Sequence, residues 1–232
     1  MIYSEYNRHL VAVDCIILGY DIKEKELKLL LVKRSFNPAK GRWSLAGGFV
    51  ARDESLTEAA ARILHNLTGI SNLVMEQSFT YGDVGRDPGA RVISVAYSAL
   101  IKIQDFDREL KERNGAHWQS VTRLPVLIFD HTQMVKRALT DLQNRIKIQP
   151  VGFALLPEKF TLVQLQDLYE AIYRRSIDKR NFRKKILSMN ILEKLEEKER
   201  QTSKRGAFYY RFNPTRYKTL KEQGFFFNLD VN

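Results

Sequence analysis

The chain has 232 residues, more than one typical domain and about two small ones, with 44% hydrophobic and 28% charged residues. That composition is ordinary for a globular protein and supplies enough apolar surface for a core, which excludes disorder and fibrous repeats. The net charge of +11 is unevenly placed: 21 basic and 17 acidic residues run to Pro150, 17 and 10 follow it, and residues 174–221 alone hold 16 basic against 5 acidic. Charge concentrated at one end predicts a polyanion-binding module attached to something else. The N-terminal stretch MIYSEYNRHLVAVDCIILGYD has no cationic region ahead of an apolar run, and Asp14 interrupts its best hydrophobic stretch. Neither a signal peptide nor a spanning helix is expected, so the expected location is cytoplasmic, with no membrane partner. The single cysteine, Cys15, lies within an apolar run and reads as a small buried hydrophobe, without a disulfide or cysteine-based zinc site.

In chain order, LVAVDCIILGY and LKLLLV are rich in branched residues and flank the polar turn DIKEKE, predicting a β-hairpin from Leu10 to Leu31. After the loop SFNPAKGR comes WSLAGGFV, a short strand ended by paired glycines, and then a helix over Asp53 to Leu67. Ser55 and Glu58 make a capping-box pattern, Leu56, Ala60, Ile63, Leu64 and Leu67 form the apolar stripe, and Gly69 stops the helix. Strands follow over Val74 to Tyr81, over Arg91 to Ile103 and near Trp118, with a closing helix from Asp130 to Arg145. A sheet with helices packed on it is the architecture these elements support.

Around Pro150 to Pro157 the pattern resets. Thr161 can cap a helix carrying Leu162, Leu165, Leu168 and Ile172, and Asp178 can cap a second running through Phe182, Ile186, Leu187 and Met189. ILEKLEE and AFYYRF then read as two strands around the polar loop KERQTSKRG. Helix, helix, hairpin is the order of a winged helix-turn-helix. A cationic second helix suits the DNA major groove, and a cationic hairpin suits the adjoining backbone. The expected division is 1–149 for a first domain, 150–157 for a linker, 158–222 for the winged helix and 223–232 for an aromatic tail.

Residues 48–70 resemble the Nudix box: glycine, five residues, glutamate, seven residues, then R-E-U-x-E-E-x-G-U with U a bulky aliphatic. Gly48, Glu54, Arg62, Leu64, Gly69 and Ile70 fall on that spacing. The resemblance implies a Nudix-like α/β/α sandwich, and with the C-terminal half an α+β chain. In that family the box carboxylates hold Mg²⁺ or Mn²⁺ against a nucleoside diphosphate-linked substrate; here the three glutamate positions are Ile63, Asn66 and Leu67. A hard divalent cation needs anionic oxygens, so neither catalysis nor a metal or cofactor is expected. Glu54 reads instead as a partner for Arg62.

Together with GRDPGARVISVAY, LIFDHTQMV, FTLVQLQDLYEAIYRRSIDKRNFRKKIL and SKRGAFYYRF, the chain resembles the Nudix-related transcriptional regulators, in which a degenerate Nudix domain senses an effector and a winged helix binds DNA. It looks closest to the arabinose-responsive regulators of Bacteroidetes. That likeness implies a repressor on double-stranded operator DNA, released by L-arabinose or another pentose, and because one winged helix contacts only a short half-site a homodimer is expected. An ADP-ribose-responsive regulator of NAD metabolism and an active metal-dependent Nudix hydrolase are the alternatives. Sugar recognition needs paired donors and acceptors beside an apolar surface, which Arg86, Asp87, Arg91, Asp130 and His131 can supply with Trp43, Ser44 and Gly47 beside the box. Lys179, Arg180, Asn181, Arg183 and Lys184 are the recognition-helix candidates, and Lys204 and Arg205 the wing contacts.

Overall fold

In the computed structural model, which describes residues 6–106, 110, 115–200 and 206–229, the first apolar run forms β1 (Leu10–Asp21) and the second β2 (Glu26–Lys33). β3 (Trp43–Ser44), β4 (Ala46–Phe49), β5 (Glu76–Tyr81), β6 (Val92–Lys102) and β7 (Ala116–Ser120) follow. These described strands make one sheet ordered β3-β2-β1-β6-β5, with β4 also pairing β1 and β7 also pairing β2. Two helices accompany the sheet, α1 (Leu56–Thr68) and α2 (His131–Ile148). The chain divides into two units: residues up to Gly19 with Lys28–Ala138, and Tyr20–Leu27 with the chain from Leu139 onward.

The core of the first unit follows from the period-2 alternation of its strands. Val13, Cys15 and Ile17 of β1 and Val95, Tyr97, Ala99 and Ile101 of β6 pack in one cluster with Ala59, Ala60, Ile63 and Leu64 of α1. The intervening residues, Asp14 on β1 and Ser94 on β6, therefore belong to the opposite face, and both are buried as well. Burial on two faces is why β1 reads as a near-continuous apolar run rather than an alternating one. The Cys15 thiol is fully enclosed and burial raises its pKa far above the ordinary value, so it is inert packing.

Helix α1 starts at Leu56 rather than at the expected Asp53 because the cap decides the boundary. The Ser55 side chain accepts from the Glu58 N–H at 3.2 Å, and the Glu58 carboxylate accepts from the Ser55 N–H at 2.7 Å. Asp53 and Glu54 thus precede the helix. Gly69 ends it at φ 85°, a left-handed backbone that glycine adopts without strain, with its N–H on the His65 carbonyl at 2.8 Å.

The second unit contains β8 (Phe160–Thr161), α3 (Leu162–Tyr173), α4 (Lys179–Ser188), β9 (Leu192–Glu199), β10 (Ala207–Phe212) and α5 (Pro214–Glu222). β8, β10 and β9 form a second sheet in that order, with Tyr210 opposite both Phe160 and Lys194. Thr161 caps α3 through a capping box with Gln164, and Asp178 caps α4 by accepting from the Asn181 N–H at 2.7 Å. Phe182, Ile186 and Met189 are buried, whereas Leu187, expected in the same stripe, is 44% exposed. Leu187 directly follows Ile186, and one residue turns a helix by about 100°, which carries it off the stripe.

Residues 150–157 are not an open linker. Pro150–Leu155 form a 3-10 helix in which Gly152, Phe153 and Leu155 are buried, and Phe153 stacks on Phe212 with ring centroids 4.5 Å apart. A Cβ on Gly152 would come 3.0 Å from Ile146, so the turn packs closely on α2. The aromatic tail also packs on its own unit: Phe227 and Leu229 are buried, and the Leu229 N–H donates to the Lys147 carbonyl at 2.8 Å.

Replacing Ser55 by alanine removes one half of the α1 cap and is expected to lower stability by about 1 kcal/mol. A urea titration checks this: the midpoint should fall with an unchanged slope, and an unmoved midpoint would mean that the cap contributes nothing.

Candidate ligand site and nucleic-acid interface

The Nudix-box residues present are engaged in holding the β4–α1 connection. The Arg62 guanidinium donates to both Glu54 carboxylate oxygens, Nε at 2.7 Å, and to the Phe49 carbonyl at 3.1 Å. The Ala51 N–H also donates to Glu54 at 2.6 Å. With Arg62 and that amide beside it, the Glu54 pKa is drawn down to about 2. The expected pairing of Glu54 with Arg62 is thus observed. Ile63 lies in the core, close enough that a Cβ on Gly48 would approach it to 3.1 Å, while Asn66 is exposed and Leu67 half-buried.

A second constellation occupies the sheet face opposite α1. At its centre is Asp14, 5% exposed. Its Oδ2 accepts from the Ser94 hydroxyl at 2.6 Å and lies 3.7 Å from Arg86 Nη2, and its Oδ1 lies 3.6 Å from His131 Nε2. Arg86 grips Asp130 in a bidentate pair, Nε to Oδ2 at 2.8 Å and Nη2 to Oδ1 at 2.7 Å. His131 Nδ1 accepts from the Leu45 N–H at 3.1 Å. An imidazole accepting at Nδ1 carries its proton on Nε2, so the neutral tautomer aims N–H at Asp14. Burial pushes the His131 pKa below the ordinary value, opposed by Asp14 and Asp130. Gly47 is required here, since a Cβ at that position would fall 2.0 Å from Asp14 Oδ1.

The expected effector residues therefore separate into two sets. Gly47, Arg86, Asp130 and His131 converge on Asp14, and Ser44, buried with its hydroxyl on the Leu45 carbonyl, adjoins the backbone amide that His131 receives. Asp87 instead accepts from the Gly89 N–H at 2.7 Å, and Arg91 donates to the Asp83 carbonyl at 3.2 Å, so both brace the 82–91 turn. Trp43 meets His117 edge-on at 5.5 Å with Lys33 over its ring at 3.8 Å. The sequence reading missed Asp14, Ser94 and Arg34. The available signal was an isolated acid in the middle of a strand apolar on both faces, LVAVDCIIL.

On the second unit, Lys179, Arg180, Asn181 and Lys184 are exposed on α4, and Lys179, Arg180 and Lys184 have no side-chain ion pair among the described residues. Arg183 differs from the expectation: it is half-buried, and its Nε is enclosed without a hydrogen-bond partner. The wing candidates Lys204 and Arg205 lie outside the described residues.

Two outcomes follow for the buried cluster. Arg86→Ala leaves Asp14 and Asp130 without their cation and should destabilise the chain by about 3–5 kcal/mol, measured by urea unfolding. The folded chain keeps His131 neutral while the unfolded chain protonates it near 6.5, so the unfolded state binds the proton first as pH falls. This group's share of stability is therefore lost as pH drops below about 6.5 and is unaffected above it. His131→Gln should flatten that part of the unfolding-midpoint profile between about pH 7.5 and 5.5; an unchanged profile would show that another group titrates.

The NUDIX domain description matches residues 8–141 and the NrtR DNA-binding winged helix domain description matches residues 152–212. The ADPR responsive transcriptional repressor NtrR of Acinetobacter baylyi is 32% identical over 213 residues, covering 90% of this chain and 84% of that one. Shewanella oneidensis NrtR, crystallised with a 27mer DNA, superposes with a TM-score of 0.77 at 29% identity, covering 95% of this chain and 99% of that one. The NUDIX domain of the same Shewanella protein, complexed with ADP ribose, is 32% identical with a TM-score of 0.52, over 60% of this chain and 92% of that one. These matches overturn the expected assignment to arabinose sensing. In the structure Arg86 and Asp130 pair with each other, and Asp87 and Arg91 bond to the backbone of their own turn. With the NUDIX description over residues 8–141 and a full-length relative at 32% identity, the chain belongs to the family of NrtR-type transcriptional regulators, a NUDIX domain followed by a DNA-binding winged helix domain.

Proposed function

We propose that this chain is a cytoplasmic transcriptional repressor that binds operator DNA as a homodimer through its winged helices and is controlled by ADP-ribose bound to its NUDIX domain. The observation that carries the reading is the pairing, in one chain, of that domain with an α4 surface on which Lys179, Arg180 and Lys184 stand without ion-pair partners. Capping by Asp178 and burial of Phe182 and Ile186 turn those cations outward, where a helix in the major groove presents arginine to guanine and asparagine to adenine. Two half-sites suit a symmetric dimer, because one winged helix covers too little DNA for gene-level specificity. ADP-ribose as effector is supported by the two relatives at 32% identity, one an ADPR responsive repressor and the other a NUDIX domain complexed with ADP ribose. The ligand alters DNA affinity only if it prefers one arrangement of the protein over another.

Hydrolysis is not part of this reading. A divalent metal does not fit the box: Ile63 is core, Leu67 offers no oxygen, Asn66 offers only a neutral amide, and Glu54 and Glu58 are taken by Arg62 and the Ser55 cap. Among the described residues no group of three or more His, Cys, Asp or Glu side chains is placed to hold an ion, and no helix is long and apolar enough to cross a membrane.

The test combines two measurements on the full chain. ADP-ribose at about 100 times its Kd should stabilise the fold by about 2.7 kcal/mol, a shift of several degrees in melting temperature, and should weaken binding to the chain's own promoter DNA. Arg180→Ala should reduce the preference for that DNA over a scrambled duplex by about 1–3 kcal/mol if it reads a base, or weaken both alike if it meets phosphate. No thermal shift with ADP-ribose, or promoter binding indifferent to both ligand and variant, would overturn the reading.

A further inference from the structure

Arg34 follows β2 and opens the 34–42 loop, which its backbone closes: its N–H donates to the Arg42 carbonyl at 3.0 Å, and its carbonyl accepts from the Gly41 N–H at 2.8 Å. Its guanidinium lies 3.9 Å over the Phe36 ring and 5.3 Å from the Phe129 ring. Phe129 is the residue immediately before Asp130, holds a left-handed φ of 48°, and meets His131 edge-on at 5.9 Å. One phenyl ring thus adjoins both Arg34 and the cluster built on Asp14.

What distinguishes Arg34 is the state of its donors. Its Nε is enclosed and has no hydrogen-bond partner, and among the described residues its guanidinium makes no hydrogen bond or ion pair. Asp87 and Asp14 act on it only through space, and burial draws its pKa down. Arg86, the other arginine of this face, has both carboxylate-facing donors spent on Asp130. Contact of a guanidinium with aromatic rings spends none of its in-plane N–H groups, and those form the fork that binds a phosphate in a bidentate manner.

We propose that Arg34, braced by Phe36 and Phe129, is the anion-binding residue of the effector site and receives a phosphate of a nucleoside diphosphate. The assignment rests on the effector reading given above and adds to it the group that discriminates a phosphorylated ligand from a neutral nucleoside or sugar. Phe36 beside the guanidinium is 45% exposed, and Phe129 adjoins the buried cluster through His131. Cation–π contact fixes the plane of the fork but satisfies none of its N–H donors, which leaves them for the ligand.

The experiment is isothermal titration of the full chain with ADP-ribose, AMP and adenosine at two salt concentrations, using the parent, Arg34→Met, Arg34→Lys and Phe36→Leu. Arg34→Met should weaken ADP-ribose and AMP at least tenfold, leave adenosine within twofold, and reduce the salt dependence of ADP-ribose binding. Arg34→Lys should recover part of the loss as a point charge without the fork, and Phe36→Leu should show a smaller loss of the same selectivity. If Arg34→Met does not fold, the lysine and leucine variants carry the same comparison. Parent chain that binds ADP-ribose, with variants that bind it equally well, overturns the role of Arg34 and leaves the effector reading intact. Equal losses for adenosine and ADP-ribose would make Arg34 a packing residue and also overturn it. Parent chain that binds neither ADP-ribose nor AMP overturns both.

Discussion

A carboxylate in the middle of a strand buried on both faces must be compensated, and the first unit is arranged around that requirement. Asp14 lies on β1 between Val13 and Cys15, which pack against α1, so the alternation of the strand sends it to the other face. An uncompensated charge there would cost several kcal/mol. Compensation comes from four separate places in the sequence: Ser94 of β6, Arg86 of the 82–91 turn, His131 at the start of α2, and Gly47, whose missing side chain leaves room for the carboxylate. Asp130 and the Leu45 amide then fix Arg86 and His131 in turn. The network constrains five segments of chain at once, which is how a polar cluster specifies one arrangement of a sheet, a turn and a helix.

The Nudix-box segment of this chain is held in place by contacts among its own residues. Arg62 ties Glu54 and the Phe49 carbonyl together, and Gly48 admits Ile63 to the sheet. Each of these contacts positions the β4–α1 connection and would be useful with or without a metal. Replacement of acidic positions by Ile63 and Leu67 extends the apolar surface of α1, which joins the core cluster formed with β1 and β6. Helix α1 thus presents hydrocarbon to the sheet, and the buried Asp14 cluster sits on the sheet's other side.

In the second unit the division of labour follows helix periodicity. Phe182 and Ile186 anchor α4 next to Tyr169, whose ring lies 5.4 Å from Phe182, and the remaining faces carry its cations. Aromatic stacking does the corresponding work for the hairpin: Phe212 of β10 lies between Phe153 and Tyr217, and Tyr217 meets Phe225 and Phe227 of the tail. The tail and the 150–157 stretch, expected as an aromatic tail and a linker, are ordered because each places aromatic or aliphatic side chains into this one cluster.

The sequence by itself determined the elements and the fold class. The branched apolar run LVAVDCIILGY, the S-x-x-E and T-x-x-Q caps, Gly69 and Asp178 all act over a few residues, so local physics places α1, α3, α4 and the strands, and spacing exposes the Nudix box. It also identified most of the basic face of α4, because one helical stripe of Phe182 and Ile186 fixes where the other side chains point. Tertiary structure alone decided which polar residues belong together. Arg86, Asp87 and Arg91 look equivalent within GRDPGAR, yet one is buried on Asp130 and the other two brace their own turn. Asp14, Ser94 and Arg34 carry no motif at all. Their roles depend on contacts between residues 44 to 117 positions apart, as in the Arg86–Asp130 and Asp14–His131 pairs, and no local propensity encodes a partner at that distance. Half-burial of Arg183 and the folding of 150–157 escaped for the same reason: burial is a property of what packs against a residue, and that is set only when the distant chain arrives.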